Sequence, residues 1–204
     1  MKLQQAMETL SHEKRTAILD GATRVFRERG YEGASMSMIT AAAGVSKGTI
    51  YQHFEGKAAL FGATVSRECE RMLGQVFRTI PADGDLADLL RDIGNGFLSM
   101  LTSPHAMAVE RIVTAEAARF PELAEAFFAA GPARAIASMA ELLAGQVALG
   151  RLCVADTAFA AEQFFMLCQT RVVLRNKLAI PTTAEDRARV VEEAVAVFIR
   201  AYRV

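Results

Sequence analysis

The chain has 204 residues, 52% of them hydrophobic and 23% charged; that is enough apolar side chain to bury a core without covalent staples, and it excludes a disordered chain. Its 23 basic and 23 acidic residues cancel to a formal net charge of zero, and residues 1–60 hold only eight basic against six acidic ones, so no bulk field singles out a polyanionic partner. No apolar run approaches the ~18 residues of a membrane span, and His12, Glu13, Lys14 and Arg15 stand where a secretory signal would be apolar; a soluble, cytoplasmic protein with no membrane partner is expected.

Cys69, Cys153 and Cys168 are odd in number and widely spaced, which fits neither a disulfide framework nor a paired metal or redox motif. Buried, reduced thiols are expected. His12, His53 and His105 are too scattered for zinc ligands, and no metal or other cofactor is expected. Thirty-seven alanines with abundant Leu, Glu and Arg are helix-forming composition, so the fold class is all-α.

In chain order, Ile18, Ala22, Val25 and Phe26 recur at helical spacing and predict an amphipathic helix over 13–29, ended by Gly30 as a left-handed cap. Ser35 and Ser46 are placed to cap short helices over 36–43 and 47–54, with Gly44 making the turn between them. Val65, Cys69, Met72, Val76 and Ile80 predict one long helix over 57–80, and 81–85 reads as a linker. Further helices are expected near 86–102, 105–119, 121–130, 133–148, 156–177 and 184–203. Their breaks fall at Pro104, Pro121, Gly131 with Pro132, Gly150 and Pro181.

Residues 36–54, MSMITAAAGVSKGTIYQHF, join two short helices across a glycine turn, the helix-turn-helix pattern. Ile39, Val45, Ile50 and Phe54 are spaced to share a small core. Lys47, Thr49, Gln52 and His53 then occupy the opposite face, with Gly48 allowing close backbone approach and Tyr51 offering a hydroxyl. These groups suit double-stranded DNA: Lys47 donates to phosphate or guanine, Gln52 pairs with an adenine edge, and Thr49 meets a thymine methyl or a phosphate. Ser35, Ser37 and Lys57 stand at helix N-termini, where amides and the helix dipole favour phosphate oxygens. From spacing alone, a solvated face on a helical hairpin is the competing reading.

The wider stretch over 15–61, RTAILDGATRVFRERGYEGASMSMITAAAGVSKGTIYQHFEGKAALF, resembles the DNA-binding domain of the TetR family of transcriptional regulators. The resemblance implies a three-helix DNA-binding domain over 1–56 and a helical effector-binding and dimerisation domain over 57–204, with 57–80 as connecting helix. It also implies regulation of transcription, by default repression, relieved when a small molecule releases the protein from its operator. Carried onto matching positions, it puts Lys47, Gly48, Thr49 and Tyr51 in the recognition helix, with Gln52 and His53 as further contacts and Lys57 as the phosphate-contacting lysine. Thr40, Gly21 and Gly56 depart from the family pattern; each glycine should soften the domain by at most about 1 kcal/mol. Residues 110–143 resemble, more loosely, one regulatory-domain subgroup of the family.

The last helix carries two apolar seams, Ala188, Val191, Val195, Phe198 and Tyr202, and Val190, Ala194, Val197 and Ala201, while Arg189, Glu193, Arg200 and Arg203 form a charged stripe. One seam suffices for an internal core, so the second predicts a two-fold homodimer through the last two helices, reading a palindromic operator. Phe97, Met100, Met107, Phe127 and Phe164 are expected to line a cavity for a small apolar effector, with Gln163 or Arg111 as polar anchor. No G-x-S-x-G, P-loop, G-x-G-x-x-G or H-E-x-x-H motif occurs, and no enzyme is expected. The alternative is a helical small-molecule carrier, or an activator lacking repressor activity.

Overall fold

The computed structural model describes residues 2–78 and 84–204. Among these, the regular structure is helical: α1 (Lys2–Gly33), α2 (Met36–Ala43), α3 (Lys47–His53), α4 (Lys57–Arg78), α5 (Leu86–Leu101), α6 (Pro104–Glu116), α7 (Pro121–Ala130), α8 (Pro132–Ala148), α9 (Thr157–Lys177) and α10 (Ala184–Tyr202). The only extended pairing among them is one isolated bridge, Leu152 to Arg203. The predicted side-chain positions at Cys69, Met72 and Val76, residue Ile80 and linker residues 81–83 lie outside the described residues.

Local signals set most boundaries. Ser35 and Ser46 cap α2 and α3 by accepting from Met38 N and Thr49 N, and Thr183 closes a capping box with Asp186 on α10. That cap holds the Asp186 carboxyl below its usual range, chiefly through the Thr183 amide. α1 begins at Lys2 rather than near residue 13, since no helix breaker stands in its first turns. It breaks at Gly30, where φ is 70° and ψ −176°, a conformation open essentially to glycine alone and outside the left-handed helical cap expected there.

Two compact units form, one of residues 1–68 with 108–131 and the other of 69–107 with 132–204. In the first, Ile18, Leu19, Ala22, Phe26, Ile39, Ile50, Leu60 and Phe61 are buried. α7 and the part of α6 from Ala108 onward are therefore grouped with α1 to α3 and the first part of α4. A Cβ on Gly62 of α4 would sit 3.0 Å from the Ala126 Cβ of α7, which shows how closely these two helices approach.

The expectation for Gly21 needs correction. A Cβ there would lie 2.7 Å from Ala43 N and 2.9 Å from Ala43 Cα, so α1 crosses α2 backbone to backbone and glycine is required by the contact. Gly56, by contrast, has open space around it. The Thr40 hydroxyl is satisfied by Met36 O at 2.7 Å within its own helix.

In the second unit, α5, α8, α9 and α10 enclose Leu90, Ile93, Met139, Leu143, Phe164, Val191 and Phe198. α9 is interrupted at Thr170 (φ 5°, ψ −127°). Arg91 of α5 bonds Glu192 of α10 at 2.6 Å and also pairs with Asp88. Cys168 is buried, its thiol pushed up to about 12 by loss of hydration, as expected for an inert core thiol. Cys153 is exposed, contrary to expectation: it follows the bridge residue Leu152 at the surface and donates its backbone N–H to Tyr202 O at 2.7 Å.

Three helices end in the same doubly bonded cap. After α2, Val45 N reaches Thr40 O; after α8, Arg151 N reaches Gln146 O; after α9, Ile180 N reaches Arg175 O at 2.8 Å. The left-handed residue is Gly44 in the first and Gly150 in the second, but Ala179 (φ 55°) in the third. Replacing Ala179 by Gly should therefore stabilise the protein by about 1 kcal/mol, whereas Gly21→Ala should cost about 1 to 3 kcal/mol through overpacking. Urea unfolding midpoints of the two variants, moving in opposite directions, check both.

Candidate nucleic-acid interface

The buried side of the helix-turn-helix is built from Ile39, Ile50 and Phe54, with Val45 half-buried. Anchoring α3 by Ile50 turns Lys47, Gly48, Tyr51 and Gln52 outward, all exposed, while Thr49 and His53 are half-buried on its flanks. Ser35 and Ser37 are exposed at the start of α2. The Lys47 ammonium lies 5.9 Å from the Tyr51 ring centroid, close enough for the ring face to orient it. The Thr49 hydroxyl shares a 2.7 Å hydrogen bond with Ser46 Oγ, which fixes its orientation, and its methyl is free of polar contacts. Gly48 has an ordinary backbone, and a Cβ there would meet only Ser46 Oγ, at 3.8 Å.

Sequence reasoning missed Arg15. It lies exposed on α1, with its guanidinium 5.5 Å from the ring of Phe54, the residue that ends α3. A cation beside the end of a recognition helix can reach a DNA backbone. Its only sequence signal was charge.

Lys57 differs most from its expected role. Its Nζ donates to Tyr31 O at 2.8 Å and Ala34 O at 3.1 Å, and it lies 4.4 Å from the Tyr31 ring centroid and 5.8 Å from that of Phe120. Burial lowers its pKa, with Glu32, Glu116 and Glu122 opposing that shift. Burial, and secondarily Glu122, raises that of the Tyr31 phenol. The ammonium is thus held by carbonyls inside the unit and is not extended toward solvent.

The residues expected around an effector are divided. Phe97 and Phe164 are buried in the second unit, where the Phe97 ring lies tilted 4.2 Å from that of Phe165 and Phe164 meets Phe198 edge-on at 5.3 Å. Met100 and Met107 are half-buried in that unit. Gln163 is exposed and accepts a hydrogen bond from the Tyr202 hydroxyl; it does not face the interior that holds Phe164, because the two are consecutive on α9 and point to different sides. Arg111, exposed, and Phe127, half-buried, belong to the first unit. Among the described residues no group of three metal-binding side chains occurs, and no helix is long and apolar enough to cross a membrane.

Comparison with known proteins accounts for this arrangement. Residues 18–64 match the family described as bacterial regulatory proteins, tetR family, and residues 88–204 match the AefR-like transcriptional repressor C-terminal domain. A TetR-family regulator from Mesorhizobium loti superposes with a TM-score of 0.81 at 25% identity, covering 95% of this chain and 98% of that one. The structure titled Flavonoid-responsive Regulator FrrA gives 0.80 at 31% identity, over 93% and 97%. The repressor AcnR of Corynebacterium diphtheriae is 38% identical over 80 residues, 39% of this chain and 40% of that protein. The activator FasR of Mycolicibacterium smegmatis is 34% identical over 89 residues, 44% and 41%. These two matches span about two fifths of each relative.

The chain belongs to the TetR family of transcriptional regulators, DNA-binding proteins and not enzymes. Because Ser46 both caps α3 and fixes the Thr49 hydroxyl, Ser46→Ala should lower stability by about 1 kcal/mol, read as a lower urea midpoint with the helical circular dichroism at zero urea unchanged.

Proposed function

We propose that this regulator is a repressor that acts in the cytoplasm as a homodimer, lays α3 in the major groove of a palindromic operator, and is released by a small apolar effector. Gly48 carries the reading. Nothing inside the chain requires a glycine there, since a Cβ would make only ordinary contact; a bare backbone on an exposed helix instead suits the close approach of a partner outside the chain. Lys47, the Thr49 methyl, Tyr51 and Gln52 flank that spot with phosphate- and base-reading groups, and Ser35, Ser37 and His53 border it.

The dimer reading is supported by apolar side chains left uncovered. On α9, Phe159, Met166, Leu174 and Leu178 are each more than half exposed, and Val197 on α10 is 44% exposed. Within the second seam of α10, Val190 and Ala194 are buried but Val197 and Ala201 are not. Large apolar side chains exposed on two neighbouring helices support an interface there, and a two-fold pairing would cover both copies at once. Two recognition helices would then read half-sites about 34 Å apart, or a little more.

For the effector, the reading rests on Phe97, Met100, Met107 and Phe164, which all belong to the second unit; Arg111 and Phe127, in the first, are not part of it. The family likeness to a regulator named as flavonoid-responsive points the same way, toward an apolar, aromatic molecule. Binding would shift the dimer toward a form whose recognition helices no longer match the half-sites. The names of relatives include a repressor and an activator; the match to a repressor C-terminal domain favours repression.

Selection of bound duplexes from a random library should enrich a palindrome. Gly48→Ala should keep stability within about 1 kcal/mol of the parent yet lose that palindrome. Lys47→Ala should reduce the slope of log affinity against log salt by about 0.9. Failure of the folded protein to enrich any duplex would favour a helical carrier. In solution, Met166→Glu with Leu174→Glu should halve the mass measured by light scattering, from dimer to monomer, and an unchanged mass would move the interface elsewhere.

A further inference from the structure

Lys57 opens α4 at a half-buried helix start, and its ammonium turns inward. Two of its three donors are engaged, by Tyr31 O and Ala34 O. Both carbonyls lie between the break at Gly30 and Ser35, which caps α2. The ammonium therefore ties the start of α4 to the segment that leads into α2, and α2 carries the turn to α3.

The other side of the ammonium is aromatic. Tyr31 is buried, and its ring meets Phe120 at 5.3 Å and Phe61 at 5.6 Å. Phe120 immediately precedes α7 and lies between two cations, with Lys57 Nζ at 5.8 Å and the Arg119 guanidinium at 5.3 Å from its ring. Arg119 also pairs with Glu32 of α1. Beside this cluster opens a pocket of about 410 Å³ bordered by Glu55, Gly56 and Glu122, which leaves Phe120 room to withdraw without displacing the core.

We propose that the Lys57–Tyr31–Phe120 cage is a coupling element through which α7 controls the DNA-reading helices, with Lys57 a positioning residue and not a phosphate contact. With Phe120 in place, the ammonium is shielded and holds the Tyr31 and Ala34 carbonyls, which fixes Ser35 and the start of α2. When α7 draws Phe120 away, water reaches the ammonium, its bonds to the carbonyls weaken, and α2 loses its fixed start. α7 is joined through Gly131 alone to α8, whose Met139 and Leu143 lie in the core of the second unit. The inference deepens the regulator reading and rests on it for the identity of the controlled partner.

The test uses the full-length protein, Phe120→Ala, Lys57→Gln and the double variant, with Phe120→Leu as a packing control. Hydrogen exchange of the free protein should quicken over residues 31–43 in both single variants while residues 16–27 keep their protection. Affinity for the duplex enriched by the parent should fall about tenfold, within the usual range of allosteric coupling, with an unchanged salt slope. The double variant should be no weaker than either single one. A slope reduced by about 0.9 in Lys57→Gln, with exchange over 31–43 unchanged, would overturn the cage and restore the phosphate contact. Exchange quickened equally over 16–27, or quickened as much by Phe120→Leu as by Phe120→Ala, would also overturn it. If the parent enriches no duplex, the DNA reading fails, and exchange over 31–43 alone still decides whether Phe120 controls the carbonyl contacts.

Discussion

The contact on which the DNA-reading face depends is the crossing of α1 and α2 at Gly21. Ala43 N would lie 2.7 Å from any Cβ at position 21, so the two helices meet through backbone and no side chain can be inserted between them. That crossing sits one residue before Gly44, whose left-handed conformation turns the chain into α3. The angle at which α3 presents Lys47 and Tyr51 is thus set by a steric limit on the far side of the helix pair. A steric limit suits this role because it varies little with solvent, salt or pH, unlike the polar contacts that read the partner.

The same unit gathers α6 and α7 around the first half of α4. The compact units therefore do not divide at residue 56. A DNA-binding domain ending before α4 would lack Leu60 and Phe61, both buried, the latter with its ring against Phe26 and Tyr31, and would expose aromatic surface. In the second unit, Gly94 plays the part of Gly21. A Cβ there would come within 2.9 Å of Val191 Cγ1 and 3.3 Å of Cys168 Sγ, so α5 passes α9 and α10 at close range. Each unit thus has a glycine where two helices approach too closely for a Cβ to fit without a shift.

What could be read from the sequence was local. Ser35, Ser46, Gly44 and the prolines before α6, α7 and α8 act within a few residues of themselves, and the helices fall close to where those signals put them. Ile39, Ile50 and Phe54 could be assigned to the core because helical spacing fixes which residues share a face. Gly21 was misjudged, and the contacts of Lys57 went unforeseen, for one reason: each is defined by a residue distant in sequence, Ala43 for the first and Tyr31, Ala34 and Phe120 for the second. Gln163 was misjudged as an anchor because a polar residue beside buried Phe164 gives no sign of which side of α9 it takes; its bond to Tyr202 settles that. A charge-and-spacing reading sees the lysine at the start of a helix and supplies it with a phosphate. The fold supplies it with carbonyls.

The magnitudes make such a lysine adequate for control. A hydrogen bond to a charged group contributes about 1.5 to 3 kcal/mol, and a cation over an aromatic ring about 0.5 to 2 kcal/mol, rising as water is excluded. Coupling between an effector and its operator is typically about 1 to 3 kcal/mol. Weakening one carbonyl contact together with one ring contact already spans that range, with no need to unfold a helix. Burial lowers the Lys57 pKa while three glutamates oppose that shift. A contact of that strength can hold α2 in one state and yield in another. A contact made much stronger, by closing the neighbouring pocket over Lys57, would leave the reading face fixed whatever bound elsewhere.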